Sequence, residues 1–256
     1  MAIKNVLLTG AAGYLSGFII AALKDDYRLT LFDRAPLDTD LPFIQGDICD
    51  LDTVAQACQG QDAIVHTVAL VRARAEKPVS DFADVMVKGT WHVLETCAQA
   101  GIERLVNISS IIADGSIVSS PRPLLPGDSV SYSAGDLYYC LGKKLGEVIA
   151  AAYAQAHSTN TIHLRPGVIA GDGANPGPDI DPPDINQPWF IYVDPRDVAQ
   201  AVYCALKTER SCGTYNIVAG RSDSLFDWRP AAAEIGYAPQ YNWPEIKQVD
   251  WQEDAT

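Results

Sequence analysis

The sequence predicts an α/β protein in which a doubly wound parallel sheet carries a small C-terminal lobe. Three observations support this. Short apolar runs alternate with helical stretches along the chain, the pattern of a parallel sheet covered on both faces. The first run, Val6-Leu7-Leu8, passes through Thr9 into Gly10-Ala11-Ala12-Gly13 and then a second apolar stretch, which reads as strand, tight turn and helix. The next apolar run closes on an acidic residue, Asp33, 20 residues beyond Gly13.

Taken in order, Tyr27 to Asp33 is the second strand and Pro42 to Gly46 the third. Asp50 is placed to N-cap a helix from Leu51 to Gln59. Ala63 to Val68 is the fourth strand, and a long helix from about Phe82 to Ala100 is stopped by Gly101. The fifth strand, Arg104 to Ser110, ends in hydroxyl residues at the carboxyl edge, where open α/β sheets bind ligands. Ile111 to Gly135, rich in Ser, Pro and Gly, reads as a loop over that edge. A helix from Leu137 to about His157 leads to a sixth strand, Thr161 to Arg165, halted by Pro166. Gly167 to Pro188 is crowded with Pro, Gly and Asp and reads as a substrate-side loop. The short apolar stretch Trp189 to Val193 precedes a helix from Pro195 to Leu206, N-capped by Asp194. Thr214 to Val218 is one more strand, and a short helix lies around Trp228 to Ile235. This is one domain, with a core of about 1–166 plus 189–218 and a small lobe from about 167–188 and 219–256.

The 256 residues are ample for a single core. A net charge of −13 argues against nucleic acid or an anionic membrane surface as partner. Six cysteines and four histidines show no metal-ligand spacing, so no metal is expected and the thiols read as reduced, as in a cytoplasmic protein. The apolar N-terminus is broken by glycines as a strand-turn-helix would be and is read as structure, not as a leader. No run is long enough to span a membrane.

The glycine turn lets the backbone approach a ligand closely, and the helix behind it offers free N–H groups and a dipole to a pyrophosphate. Asp33 is placed to accept hydrogen bonds from the ribose hydroxyls of an adenine dinucleotide and would repel a 2′-phosphate. NAD is therefore favoured over NADP, although Arg34 could swing towards a phosphate. Tyr139 and Lys143, four apart on one predicted helix, share a face about one turn apart. A phenol needs a shift of about three units to act as a base at neutral pH, roughly 4 kcal/mol. A neighbouring ammonium and a bound nicotinamide cation would together supply much of it. Such a base takes a proton from a substrate hydroxyl while hydride passes to the cofactor. Ser110 would hydrogen-bond the reacting oxygen.

With these residues in view, the chain resembles the extended short-chain dehydrogenase/reductase family, in its NAD-dependent epimerase/dehydratase group, over nearly its whole length. Thr9-Gly10-Ala11-Ala12-Gly13 resembles the family's opening fingerprint, Gly46-Asp47-Ile48 its adenine-contacting segment, and His66-Thr67-Val68-Ala69 the segment under the cofactor. Glu147 extends the Tyr-x-x-x-Lys pattern, and Arg165-Pro166-Gly167-Val168 and Tyr192 to Ala199 resemble later landmarks. The resemblance implies a Rossmann sheet and catalytic roles for Ser110, Tyr139 and Lys143. It implies NAD contacts from Gly10, Ala12, Gly13, Tyr14, Leu15, Asp33, Arg34, Asp47, Ile48, Val68, Ala69, Tyr139, Lys143, Pro166 and Val168. Ser16 stands where the third fingerprint glycine is usual, with Gly17 beside it, and Met86 where the family has an asparagine.

In length and in the tail Phe226 to Gln240 the chain is similar to uronate dehydrogenases, which oxidise a free sugar acid at C1 to a lactone. Those enzymes hold the carboxylate with an arginine after the sixth strand, but Gly167 to Pro188 contains no Arg or Lys. Arg72 and Arg74 could substitute for it or belong to a solvated loop, with Arg122 as a further candidate, and Ser110 and Ile111 complete the substrate set. The expectation is an NAD-dependent oxidoreductase acting on a small sugar or sugar acid. The alternatives are an epimerase or dehydratase with tightly bound NAD, or a non-catalytic dinucleotide sensor. Gly142 and Gly146 lie inside the catalytic helix and imply close helix packing, and the family's habit implies a homodimer or higher homo-oligomer there. Cys140 is expected to be packed and inert.

Overall fold

Seven strands form one all-parallel sheet in the order β3-β2-β1-β4-β5-β6-β9, where β1 is Asn5–Thr9, β2 Arg28–Asp33, β3 Phe43–Gln45, β4 Ala63–His66, β5 Arg104–Ile108, β6 Asn160–Pro166 and β9 Gly213–Ile217. The computed structural model describes residues 3–70, 78–115, 123–128, 131–132, 137–157, 159–170 and 191–242. The order reverses at β1, between β2 and β4, and parallel crossovers carry helices to both faces. Helices α1 (Tyr14–Leu23), α6 (Pro195–Lys207) and α7 (Arg229–Ile235) cover one face, and α2 (Leu51–Ala57), α4 (Gly89–Ala100) and α5 (Leu137–Ala156) the other. β1 shows why its residues are uniformly apolar. Leu8 packs into the first cluster and Leu7 into the second, and both are fully buried.

The caps fall where the sequence put them. Asp50 accepts the N–H groups of Asp52 and Thr53 to start α2, and Asp194 accepts that of Arg196 to start α6. Gly101 ends α4 in the left-handed conformation at φ 68°, where a Cβ would be strained.

Four expectations are corrected. The helix predicted from Phe82 begins at α3 (Val79–Phe82) and runs through a π-helical turn, Ala83–Lys88, before α4. That wider turn sets Met86 against α5, where a Cβ on Gly142 would lie 3.0 Å from Met86 Cβ. β4 stops at His66, short of Val68. Pro166 does not halt β6 but is its last residue, opposite Ile217, a terminal place that a missing N–H tolerates. The stretch predicted as a loop from Gly167 opens as β7 (Val168–Ile169), paired in parallel with β8 (Tyr192–Val193). A third apolar cluster, including Ile111, Leu124, Tyr192, Val218 and Phe226, lies beyond the strand ends.

Candidate active site

Parallel strands bring their carboxyl ends to one edge of the sheet, and the candidate residues gather there. Gly10 follows β1 at φ 79°, and a Cβ on it would stand 2.5 Å from Thr67 Oγ1 and 3.1 Å from Val68 N. Only glycine fits that turn. Gly13 N donates to Gly10 O at 3.0 Å, and Gly13 N-caps α1 with no side-chain cap bond. The positive end of the helix dipole is thus left to whatever lies before it. Ser16 is fully buried and its hydroxyl donates to Gly10 O at 2.8 Å, so the residue that departs from the fingerprint braces the turn. Asp33, at the end of β2, accepts Ala12 N at 3.0 Å on one oxygen and Ala35 N at 2.9 Å on the other. A carboxylate accepts about four hydrogen bonds, so Asp33 keeps capacity for ribose hydroxyls. The uncapped helix end for phosphates beside an acceptor for the ribose fits an adenine dinucleotide.

Ser110 follows β5 and N-caps a 3₁₀ turn, Ile111–Asp114, its hydroxyl accepting Ile112 N at 3.4 Å. Tyr139 and Lys143 project from α5 towards it. Ser110 is the side chain that acts on the Tyr139 phenol and lowers it, and Lys143 Nζ lies 5.9 Å from the Tyr139 ring centroid. The ammonium donates to Ile108 O at 2.6 Å. Burial pushes the Tyr139 phenol up to about 12, against a smaller lowering by Ser110. Burial also brings Lys143 down to about 8, with the Glu147 carboxylate pulling the other way. The chain's own groups therefore do not acidify the phenol. His66, at the end of β4, is held neutral by burial and then by the Lys143 charge, at about 3. Its ring bonds Thr9 Oγ1 at 2.7 Å and Thr90 Oγ1 at 3.2 Å.

Behind this trio lies an ionic cluster that sequence reasoning did not assemble. Arg165 on β6 grips both oxygens of Glu147, Nε to Oε1 at 2.8 Å and Nη2 to Oε2 at 2.6 Å, and its Nη1 pairs with Asp114. Asp114 also takes Lys144 at 2.5 Å and Gly127 N at 2.8 Å, and Ser109 Oγ donates to Glu147 Oε1 at 2.5 Å. Burial alone would raise Asp114, but Arg165 and Lys144 outweigh it and hold the carboxyl at about 2. Ionic residues inside buried segments were the available signal: Arg165 sits in a strand and Glu147 one turn beyond Lys143.

The remaining candidates are placed as follows. Tyr14 and Leu15 open α1, Arg34 follows β2, and Asp47 is exposed and caps its own turn through Cys49 N. Ile48 is buried against Gly89, while Val68 and Ala69 follow β4, half-buried. Pro166 and Val168 flank the end of β6, and Ile111 is buried in the third apolar cluster. Arg72, Arg74 and Arg122 lie outside the described residues. Cys140 is fully buried, and all six cysteines are free thiols.

Residues 6–183 match the model of the NAD dependent epimerase/dehydratase family. The chain is 25% identical over 252 residues to L-arabinose 1-dehydrogenase (NAD(P)(+)) of Haloferax volcanii, covering 93% of this chain and 97% of that protein. Among solved structures it is similar to uronate dehydrogenase from Agrobacterium tumefaciens, with TM-score 0.78 and 23% identity over 94% of this chain and 86% of that one. It is also similar to dTDP-glucose 4,6-dehydratase from Streptomyces venezuelae, solved with NAD bound, at TM-score 0.79 and 20% identity over 98% of each. These two likenesses are of fold.

Proposed function

The chain belongs to the NAD dependent epimerase/dehydratase family, and on that premise we propose that it is an NAD-dependent dehydrogenase of the short-chain type that oxidises C1 of a small sugar or sugar acid to a lactone. The observation that carries this reading is the Lys143 ammonium beside the Tyr139 ring, with Ser110 acting on the same phenol, at the sheet edge that also holds the uncapped start of α1. Bound at that edge, NAD would supply the acceptor for the hydride that leaves C1 and further positive charge. Gly10, Gly13 and Asp33 would hold its phosphates and ribose. Tyr139 takes the C1 hydroxyl proton at its phenol oxygen, and Ser110 hydrogen-bonds the same substrate oxygen. With burial holding the phenol near 12, Tyr139 becomes a base only when further positive charge joins Lys143 beside it.

The Haloferax relative, matched along almost its full length, supports a free sugar as substrate. A sugar acid would add a carboxylate, and Arg72, Arg74 and Arg122 are the cations to test for it. The third apolar cluster is taken as the substrate lobe. α5 exposes Tyr138, Leu141, Leu145 and Val148, which we take as the face of a homodimer or higher homo-oligomer; sedimentation as a monomer at working concentration would overturn that. A cytoplasmic setting fits the six free thiols. Among the described residues no helix is long and apolar enough to cross a membrane.

The test is purified protein with NAD and a panel of aldoses and uronates, followed by NADH absorbance. Formation of NADH with a lactone product supports the reading. NAD that survives gel filtration, with sugar converted but no net NADH, assigns the chain to the epimerases and dehydratases instead. NAD binding without turnover of any sugar leaves a dinucleotide sensor.

A further inference from the structure

Lys143 and Glu147 are four apart on α5, so an ammonium and a carboxylate meet on one face of a buried helix. Opposite charges so placed attract strongly in a low-dielectric interior, yet Lys143 donates to the Ile108 carbonyl instead. The reason lies across the sheet on β6. Arg165, 3% exposed, meets Glu147 as a planar fork, and Ser109 takes a further lone pair of Oε1. Asp114 closes the other side of the guanidinium and holds Lys144 as well, so Lys144 is not the cation that Glu147 lacks. Two cations, Arg165 and Lys144, thus balance two anions, Glu147 and Asp114, and Lys143 stands outside the balance. The cluster also lies close to the trio in sequence: Ser109 and Asp114 flank Ser110, while Lys144 and Glu147 follow Lys143.

We propose that Arg165 is a positioning residue: by holding both carboxylate oxygens of Glu147 it keeps the Lys143 ammonium on the Ile108 carbonyl, beside Tyr139, and off Glu147. The inference rests on the reading of Tyr139 and Lys143 as the reacting pair. Without Arg165, Glu147 is a buried carboxylate that keeps Ser109 as its side-chain donor and His163, held neutral by burial, as its other titratable neighbour, and the ammonium one turn away on its own helix is Lys143. An ammonium drawn one turn along α5 leaves Tyr139 and titrates higher. The charged and titratable groups that face Lys143 are Glu147 and Tyr139 on its own helix and the neutral His66 from β4.

The experiment follows Lys143 Nζ by NMR in lysine-labelled protein without NAD, its signal assigned from Lys143→Arg. The same variants are then assayed for turnover. Arg165→Met is the severe change, since it leaves the buried Glu147 carboxylate without its cation. Arg165→Lys keeps the charge but offers a point donor for one oxygen only. Arg165→Lys is expected to raise the Lys143 midpoint by about one unit and to lower kcat about tenfold with the sugar KM unchanged. Adding Glu147→Gln to it is expected to bring the midpoint back down and restore turnover. A midpoint in Arg165→Lys equal to wild type, or one that Glu147→Gln does not lower, overturns the proposal. A midpoint that moves as expected in a protein that oxidises no sugar leaves this proposal standing and removes the functional reading. Wild-type turnover with an unmoved midpoint removes this proposal alone.

Discussion

Replacing Gly10 with alanine tests whether the turn after β1 is built as described. At φ 79° an L-residue costs about 1–2 kcal/mol. The new Cβ would also stand 2.5 Å from Thr67 Oγ1, forcing that hydroxyl off the Thr9 carbonyl it now bonds at 2.7 Å. The lost bond adds about 1 kcal/mol. The expected destabilisation is about 2–3 kcal/mol, a fall in Tm of roughly 4–12 °C for a chain of this size. Displacing the backbone before α1 should also weaken NAD binding about tenfold or more, each factor of ten being about 1.4 kcal/mol. The control is Gly17→Ala in the same helix, where a Cβ meets nothing within 4 Å. It should raise stability by about 1 kcal/mol and leave NAD affinity alone. Thermal melts by circular dichroism and calorimetric NAD titrations read both variants. A Gly10→Ala protein that melts and binds NAD like wild type would refute the reasoning.

The two glycines of α5 should respond in opposite directions. A Cβ on Gly142 would lie 3.0 Å from Met86 Cβ and Cε, whereas one on Gly146 would rest 3.5 Å from Thr90 Cγ2, an ordinary contact. Gly142→Ala is expected to destabilise by about 1–3 kcal/mol and to lower kcat, because it displaces the helix between Tyr139 and Lys143. Gly146→Ala is expected to stabilise by about 1 kcal/mol; urea unfolding distinguishes them. Asp114, held at about 2 against its ordinary 3.8, stabilises the fold fully above about pH 4, and that contribution is lost as pH falls towards 2. Its worth is about 1–2 kcal/mol, allowing for its partly exposed edge. Asp114→Asn should therefore flatten the pH dependence of stability between about pH 4 and 2, as followed by urea midpoints.

The strands could be read from the sequence because parallel strands buried on both faces are continuous apolar runs, and the caps because Asp50, Asp194 and Gly101 act locally. The π turn could not. Six residues, Ala83–Lys88, are too few for a widened period to show against the helices on either side. β7 and β8, two residues each, carry no period at all. At the site, Tyr139 and Lys143 were visible through their spacing and Ser110 through its place at the end of a strand. The grip of Arg165 on Glu147 and Asp114 joins residues 18 and 51 apart, and only the crossing of β6 with α5 and the 3₁₀ turn brings them together. Ser16 was legible as a departure from a pattern. Its bond to the Gly10 carbonyl depends on how α1 folds back over the turn.

The most direct measurement of the central claim is turnover and NAD affinity in Tyr139→Phe, on whichever sugar the wild type oxidises. Loss of a positioned base should lower kcat by about 10²–10⁴-fold, while calorimetry shows NAD bound within a few-fold of wild type. Turnover that survives the loss of the hydroxyl would contradict the account, and so would NAD binding that disappears along with it.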